Sequence, residues 1–589
     1  MSLNLLRASS HLARSGVSLS ARQLRRPAMR TYATQPSKGG SNSPWFLGSL
    51  LVFGPLLFHL TSPPETPKPK PAVIQTESVS APAAAPVTAP VPTAEPTPVV
   101  TEAPKPIAKP YVLVGGGTAS FAAAQAIKEK DPNANVIIIS EEGVPPYMRP
   151  PLSKELWFSE DPNVAKTLVF KDWQGTERNA IYQDISEYEV IQDASGSDIQ
   201  TNKVKLLLNK SVRKLNVEEH TVTLNDGSKI YYNKVLLATG GAPKRLPNQG
   251  DHPNVTTFRT ANDFKQLDSI VKKGAHVAVV GGGFLGSELA VALAHRAERD
   301  QVKVTQIFPE EGNMANVFPG YLTKWTTSRV RKLGVDVKTG NAIKSFKSGD
   351  DGKVILELAN GDSVTADHVV VAVGIEPRVD VAREAGLEID EKRAGVVVNA
   401  ELEARKDVFA AGDMVSFHDI QLGRRRIEHH DHAVLSGRHA GENMVGGSKA
   451  YRHQSMFWSD LGPEIGYEAV GLIDSQLSTV SVWAKATEKD TPAAAAGSEA
   501  ESPRAAMESE KPASTESSVT KAVQAKNPLQ DEKFGKGLVF YVRDRKVVGL
   551  VLFNVFGKVQ EARDIINAGY TSDKIDGLLK KFDLHKDEH

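Results

Sequence analysis

Two glycine-rich fingerprints constrain this chain more than any other feature. The first reads VLVGGGTAS over residues 112–120, and the second reads VAVVGGGFLGSE over residues 277–288. Each follows an apolar, β-branched run and opens into an Ala-rich helical pattern. Glycines in such a strand-to-helix turn let the backbone approach a pyrophosphate at the N-terminus of the helix. The sequence therefore predicts two strand–turn–helix units, each with its own dinucleotide site.

An acidic residue follows the next predicted strand of each unit. These residues are Glu141 after the first fingerprint and Glu310 after the second. A carboxylate at this point accepts hydrogen bonds from a ribose diol and repels a 2′-phosphate, so Glu310 favours NADH over NADPH. The third glycine is present as Gly286 in the second fingerprint, and the small Ser120 replaces it in the first. Two such units indicate an enzyme that moves electrons between two dinucleotides.

Two further segments indicate which unit holds which dinucleotide. VLLATGG (235–241) and VFAAGDM (408–414) are short apolar strands that end in glycine turns. Together with the first fingerprint they resemble the flavoprotein disulfide-reductase superfamily. The resemblance implies an α/β protein with two Rossmann-like, glutathione-reductase-like domains, FAD at the first fingerprint and NADH at the second. It also implies that Asp413 contacts the ribityl chain of FAD.

Cysteine is absent from all 589 residues. Disulfide reductases of this superfamily need a redox-active cysteine pair, so a thiol relay is excluded. Hydride from NADH must then reach FAD directly. From there the electrons would leave to a quinone, to oxygen or another small acceptor, or to a partner protein.

The N-terminal region predicts a mitochondrial address. Residues 1–33 carry six arginines and no acidic residue, as transit peptides do. The uncharged segment 45–60 is short for a ~30 Å hydrocarbon core but suits an inner-membrane anchor, with a buried or sorting segment as the alternative. Residues 62–109 are a Pro/Ala-rich linker. An anchor here would place the catalytic body in the intermembrane space.

The remaining chain is long enough for two or three domains. A stretch without aromatic residues, 484–533, predicts a disordered insertion between strand-like segments. The predicted FAD-binding domain has two segments, 110–262 and 401–452, and the NADH-binding domain over 263–400 lies between them. An α+β C-terminal domain over 453–589 contains the insertion.

Four long segments resemble one narrower family, the apoptosis-inducing factors. They are PPYMRPPLSKELWF (145–158), GRRRIEHHDHAVLSGRHAGENM (423–444), HQSMFWSDLGPEIGYEA (453–469) and FYVRDRKVVGLVLFN (540–554). The match runs nearly continuously from about residue 110 to the C-terminus. The resemblance implies an FAD-containing NADH oxidoreductase of the mitochondrial intermembrane space.

The resemblance also implies the residues of both cofactor sites. On the FAD side these are Gly115, Gly117, Thr118 and Ala119 at the pyrophosphate, Glu141 at the ribose, Arg149 and Lys154 facing the cofactor, Val212, Arg259 and Asp413 at further contacts, and Glu428, His429 and His430 along the flavin ring. On the NADH side they are Gly282, Gly283, Phe284, Leu285, Glu288, Glu310, Gly374, Trp458, Glu468 and Asn554. Asn316 stands where the family often has a lysine, which would weaken NADH binding slightly.

The predicted catalytic residues are Lys154, Glu288, His429 and Trp458. Hydride transfer is the chemistry of the cofactors, and the protein orients them and tunes the charge of the flavin. The Lys154 ammonium would stabilise the reduced flavin, and Glu288 would hold the lysine in position. Trp458 would stack on the flavin or the nicotinamide, or else be a core or interface aromatic residue.

Two charged motifs invite other interpretations. The run EHHDH (428–432) has adjacent histidines that point different ways on a helix, so no metal site is predicted. The arginine run 424–426 predicts salt bridges at a dimer interface, a basic targeting patch, or a merely solvated run.

Two functional hypotheses remain open from the sequence. One is a turnover dehydrogenase that passes electrons from NADH to a quinone or another small acceptor. The other is a redox-gated interaction protein, whose NADH-induced homodimer recruits the intermembrane-space import oxidoreductase that the family binds. Release to the cytosol and nucleus, with association with DNA in cell death, rests on the resemblance alone, because a mature chain without its six leader arginines is mildly acidic.

Overall fold

The computed structural model describes residues 109–172, 177–198, 201–487, 489–492 and 533–584. The predicted transit peptide, the predicted anchor, the linker up to residue 108 and the central stretch of the predicted insertion lie outside these ranges. Within the described residues, no helix combines the length and the apolar character needed to cross a membrane.

The first sheet has seven strands and is built from two separate stretches of the chain. In spatial order the strands are Glu403–Arg405, Val408–Ala410, Lys234–Leu237, Tyr111–Val114, Val136–Ile139, Val204–Leu207 and Tyr188–Ile191. All neighbours are parallel except the first pair. The apolar runs of the inner strands are typical of parallel strands that are covered on both faces. The residues of the first fingerprint follow the central strand.

The second sheet carries the second fingerprint in the same way. Its five parallel strands are, in order, Val255–Thr257, His368–Val371, His276–Val280, Lys303–Ile307 and Asp336–Lys338. The helices of this region of the chain that have ten or more residues are Ala261–Ile270, Phe284–His295 and Gly320–Lys332. The predicted α/β class with two dinucleotide-binding sheets is confirmed.

The C-terminal sheet is antiparallel. Its strands are, in order, Met456–Leu461, Ile465–Gly471, Lys546–Phe553, Lys536–Arg543 and Ser478–Ala484. The helix Val559–Asn567 packs on it through apolar residues. The chain leaves this sheet after Ala484 and returns at Lys536 on the neighbouring strand, so the segment between them is an insertion into one sheet.

Short elements complete the described chain. The other strands are Val169–Lys171, Glu177–Asn179, Val212–Asn216, Thr221–Leu224, Lys229–Tyr231, Gly241–Pro243, Ile343–Ser348, Val354–Leu358, Ser363–Ala366, Ile375–Pro377, Val396–Val397, Val415–Asp419 and Gly423–Arg425. The short α-helices are Val164–Thr167, Ala297–Asp300, Asp380–Glu384 and Ile575–Leu578. The 3₁₀ turns are Pro150–Ser153, Glu155–Phe158, Ile185–Glu187, Ala194–Asp198, Gly412–Met414, Ser572–Lys574 and Leu579–Lys581.

One close helix pair brings distant sequence to the first fingerprint. The helix Thr118–Lys130 packs against the helix His430–Met444. A Cβ atom on Gly437 would lie 2.2 Å from the carbonyl oxygen of Ala119, so the two backbones meet where there is no side chain. The N-terminal end of the second helix, which starts after His429, belongs to the segment predicted to line the flavin.

Candidate cofactor site

The first fingerprint forms an open cradle at the N-terminus of the helix Thr118–Lys130. Gly115 has a φ of +117°, and a Cβ atom there would lie 2.3 Å from the carbonyl oxygen of Ala238, so this turn requires glycine. A Cβ atom on Gly117 would meet nothing within 4 Å. The unpaired amides of a helix start favour an anion, and this open face fits a pyrophosphate.

The second fingerprint repeats this geometry before the helix Phe284–His295. Gly281 has a φ of +132°, and a Cβ atom on it would lie 2.2 Å from the carbonyl oxygen of Ala372. A Cβ atom on Gly286 would lie 2.3 Å from the carbonyl oxygen of Gly281, which explains the third glycine. Gly283, like its counterpart in the first fingerprint, has open space within 4 Å of a Cβ atom. The chain therefore carries two separate cradles of the shape that dinucleotides need.

The predicted ribose ligands lie shortly after the ends of the strands Val136–Ile139 and Lys303–Ile307. Glu141 forms an ion pair with Arg378, and both side chains are about half exposed. Glu310 is partly buried, and its carbonyl oxygen accepts a hydrogen bond from the amide of Gly340 (2.9 Å). Sequence reasoning missed Arg378, because no motif marks it and only the fold brings it to Glu141.

The predicted polar residues on the FAD side lie together. Arg259 pairs with Asp413 at 2.9 Å. Arg149 donates to the carbonyl oxygen of Arg259 (3.0 Å), to the Tyr147 hydroxyl (2.9 Å) and to the carboxylate of Glu142 (2.8 Å). The family resemblance implied Arg149, Arg259 and Asp413, which span 265 residues of the chain, and the structure joins them through two contacts.

A buried ion pair joins the two halves of the site. The Lys154 ammonium lies 3.5 Å from a carboxylate oxygen of Glu288, and the two side chains are only 5% and 8% exposed. Lys154 lies between two 3₁₀ turns of the first domain, whereas Glu288 belongs to the helix of the second fingerprint. The predicted pairing is thus present, while the roles of both residues toward a cofactor stay predictions.

Aromatic rings line the same region. The His429 ring stacks on Phe457, with 4.5 Å between the ring centroids, and Phe457 meets Phe284 at 5.0 Å. The His430 ring stands edge-on to Trp458 at 5.8 Å. Four of these five residues were predicted, and Phe457 was missed, although its place beside Trp458 in the motif was a usable signal.

Tyr182 is a second residue that the sequence did not reveal. Its hydroxyl lies 3.2 Å from the Thr118 hydroxyl and 3.2 Å from Nε2 of His430, and its ring stacks on Phe121 at 4.4 Å. It therefore connects the first fingerprint to the histidine segment. No motif surrounds it, and only tertiary contacts identify it.

Burial disfavours the charged form of three histidines in this region. Burial lowers the pKa of His429 and of His430 to about 4, and that of His432 to about 3. Both rings at 429 and 430 are partly buried, so they can still meet a ligand as hydrogen-bonding, uncharged groups. Among the described residues, no group of three or more histidine or acidic side chains is arranged to hold a metal ion.

Acid is expected to destabilise the fold through such buried histidines. Burial lowers the pKa of His368 from 6.5 to about 4, so the unfolded chain binds more protons between these values and stability falls as the pH falls through them. Each such group steepens the decline by at most about 1.4 kcal/mol per pH unit. Urea unfolding at several pH values should show that the free energy of unfolding falls less steeply with decreasing pH in His368→Val than in wild type. Equal slopes would contradict the prediction.

Other predicted residues have contacts of their own. Glu468 is fully buried, and it lies opposite Trp458 on the neighbouring antiparallel strand. The Asn554 side chain accepts from the amide of Gly466 (2.9 Å) and donates to the carbonyl oxygen of Gly535 (3.0 Å). These bonds tie Asn554 to its own domain, so a contact between this residue and NADH stays a prediction.

The remaining predicted positions lie on separate elements of the fold. Val212 is buried in the strand Val212–Asn216, Leu285 lies in the first turn of its helix, and Gly374 has a φ of +104°. Asn316 is exposed, and its carbonyl oxygen accepts a hydrogen bond from the amide of Ser475 (3.2 Å).

The arginine run 424–426 is not simply solvated, so that interpretation is wrong. Arg424 donates to the carbonyl oxygen of Ser416 at 2.7 Å. Arg425 pairs with Asp419 at 3.0 Å, and Arg426 pairs with Glu428 at 2.6 Å. Folding brings carboxylates and carbonyl oxygens to all three guanidinium groups, which sequence spacing alone did not indicate.

Two family models match the chain. Residues 109–437 match the pyridine nucleotide-disulphide oxidoreductase model. Residues 440–568 match the model described as apoptosis-inducing factor, mitochondrion-associated, C-term.

Two relatives agree with these matches. A Drosophila melanogaster protein named as a mitochondrial apoptosis-inducing factor 1 is 43% identical over 487 residues, which cover 81% of this chain and 65% of the fly protein. The chain thus spans slightly less than two thirds of that relative. The mitochondrial apoptosis-inducing factor 1 of Dictyostelium discoideum is 40% identical over 81% of this chain and 82% of its own length.

Solved structures share the fold. A ferredoxin reductase from Rhodopseudomonas palustris has a TM-score of 0.61 and 22% identity, over 81% of this chain and 99% of its own. A water-forming NADH oxidase from Lactobacillus brevis has a TM-score of 0.59 and 18% identity, over 79% of this chain and 92% of its own.

The family model and the relatives confirm the predicted FAD and NAD(H) cofactors. The chain therefore belongs to the pyridine nucleotide-disulphide oxidoreductase family, within its apoptosis-inducing factors, and is an oxidoreductase that uses FAD and NAD(H).

Proposed function

We propose that this chain is a mitochondrial NADH oxidoreductase in which NADH reduces FAD directly, and that the NADH-bound state forms a homodimer that recruits a partner. The observation that carries the proposal is the buried pair of Lys154 and Glu288. This pair links a segment of the FAD domain to the helix that begins at the NADH cradle. A change of charge on the cofactor would therefore alter the electrostatic interactions of both domains.

The residues of the chain would bind, orient and tune the two cofactors. Gly117 and its helix start would hold the FAD pyrophosphate, and Gly283 with its helix start would hold that of NADH. FAD supplies a ring that accepts hydride. Lys154 would place a positive charge beside that ring, and Glu288 would hold the lysine there. The neutral rings of His429 and Phe457 would exclude water from the cleft.

The C-terminal sheet supports a signalling role. Trp458, on the strand Met456–Leu461, belongs to the same sheet as the strands that flank the insertion, Ser478–Ala484 and Lys536–Arg543. A change around Trp458 on NADH binding can therefore reach the insertion through one continuous sheet. The partner we propose is the import oxidoreductase of the intermembrane space, which would connect the protein to respiratory-chain biogenesis.

The location we propose is the inner mitochondrial membrane, with the described domains in the intermembrane space. The arginine-rich leader and the segment 45–60 support it, as does the word mitochondrial in the names of both relatives. Release to the cytosol and nucleus, with DNA association during cell death, would follow from cleavage of the linker.

A turnover dehydrogenase that reduces a quinone is the alternative. Both hypotheses need intact cradles. They differ in the rate at which the reduced flavin is reoxidised. Purified, FAD-loaded protein should be mixed with NADH while flavin absorbance and solution mass are recorded together. A persistent long-wavelength charge-transfer band with a doubled mass is the result we expect. Fast reoxidation by added quinone at unchanged mass would favour turnover, and an unbleached flavin would contradict both hypotheses.

A further inference from the structure

Two serine hydroxyls, rather than Lys154, make the shortest contacts to Glu288. The Ser153 hydroxyl donates to Oε2 of Glu288 at 2.6 Å, and the Ser459 hydroxyl donates to Oε1 at 2.6 Å. Both serines are buried. Hydroxyl-to-carboxylate bonds of this length are strong, so the carboxylate is held at both of its oxygens.

The three residues come from three domains. Ser153 ends a 3₁₀ turn of the FAD domain, Glu288 lies on the helix of the second fingerprint, and Ser459 lies on the strand Met456–Leu461 of the C-terminal sheet. Glu288 is thus the point at which the FAD, NADH and C-terminal domains share one hydrogen-bonded group.

One of the two serines shares its carboxylate oxygen with Lys154. Ser459 and Lys154 approach the same oxygen, Oε1, at 2.6 Å and 3.5 Å respectively. An optimal ammonium–carboxylate bond is about 2.7–2.9 Å long, so the lysine stands further from Glu288 than an unhindered partner would. While Ser459 supplies the short bond, the ammonium is not drawn fully onto the carboxylate.

Ser459 also lies on the same face of its strand as Phe457, one of the aromatic residues of the site. Side chains two positions apart on a strand point the same way, so Phe457 and Ser459 project from one face of the strand. Phe457 stacks on His429, and Ser459 bonds Glu288. A shift of this one strand would move both contacts together.

We propose that Ser153 and Ser459 are positioning residues that set the strength of the Lys154–Glu288 pair and thereby the reduction potential of the flavin. Ser459 makes that potential responsive to the C-terminal domain. The inference rests on the proposed role of Lys154 beside the flavin. Without the Ser459 hydroxyl, Lys154 becomes the donor to Oε1, moves toward Glu288, and stabilises the reduced flavin less.

The test is the flavin reduction potential of FAD-loaded Ser459→Ala, measured by equilibrium titration against a reference dye with a chemical reductant. We expect the reduction equilibrium to fall about tenfold, which is about 30 mV for a two-electron couple, while KM for NADH changes less than kcat. Ser459→Thr, which keeps the hydroxyl, should restore the potential. Ser416→Ala is the matched control, because it removes a buried serine bond to Asp390 (2.7 Å) outside the site.

A double variant tests whether the two serines act through the same group. If Ser153→Ala and Ser459→Ala act on the same carboxylate, their combined shift should differ from the sum of the single shifts. A potential equal to that of wild type in Ser459→Ala, or an equal shift in Ser416→Ala, would overturn the inference. The titration uses no NADH, so it measures the effect of the serines on the reduction potential even if NADH fails to reduce the wild type. That failure would contradict the proposed function, not this inference.

Discussion

Lys154→Met is expected to slow the reduction of the flavin by NADH about 100-fold, with FAD still bound. The substitution keeps a long apolar stem and removes the positive charge that we propose stabilises the reduced ring. Only 5% of the Lys154 side chain is exposed, so water cannot replace the lost charge. Stopped-flow absorbance of the flavin after mixing with NADH measures the rate directly.

A matched variant separates catalysis from stability. Lys536 is also buried and pairs with Asp490 at 3.1 Å, in the C-terminal domain and outside both cradles. Lys536→Met should lower the melting temperature as Lys154→Met does, because each variant leaves a carboxylate without its cation. It should leave the rate of flavin reduction within about a factor of three, since sites that share no partners usually act independently to within about 0.5 kcal/mol. A wild-type rate in Lys154→Met would refute the proposed role of this lysine.

Gly117→Val and Gly283→Val are expected to remove different cofactors. Both glycines have extended backbones, with φ of −102° and −79°, which any residue can adopt. A Cβ atom on either would meet no protein atom within 4 Å, so the fold should survive. The new side chain would instead occupy the space of a pyrophosphate, at a cost of about 2–3 kcal/mol or about 100-fold in affinity.

The pattern of losses tests the assignment of the two sites. Gly117→Val should be purified without bound flavin, whereas Gly283→Val should keep its yellow flavin and need far more NADH for reduction. Gly577→Val is the control, because Gly577 is exposed, has open space around a Cβ atom and lies in the C-terminal helix Ile575–Leu578. Loss of flavin from Gly283→Val and its retention in Gly117→Val would mean that the two cradles were assigned the wrong way round.

Local sequence was sufficient to find the cradles. Gly115 and Gly281 lie in turns with φ of +117° and +132°, a backbone conformation that glycine adopts without steric cost. The C-terminal strands were also visible, because alternating and continuous apolar runs in residues 536–553 reflect burial in one sheet. The pair of Lys154 and Glu288 was found only with the help of the family resemblance, since 134 positions separate the two residues.

The sequence by itself determined that this chain has two dinucleotide cradles, lacks a thiol relay, and carries a C-terminal domain with an insertion. These features depend on residues that are near neighbours in the chain, and backbone conformation is read from such neighbours. Only the tertiary structure decided that Ser459, Phe457, Tyr182 and Arg378 meet the predicted residues. Their positions depend on how segments that are distant in the chain pack together, and no local pattern records a contact between such segments.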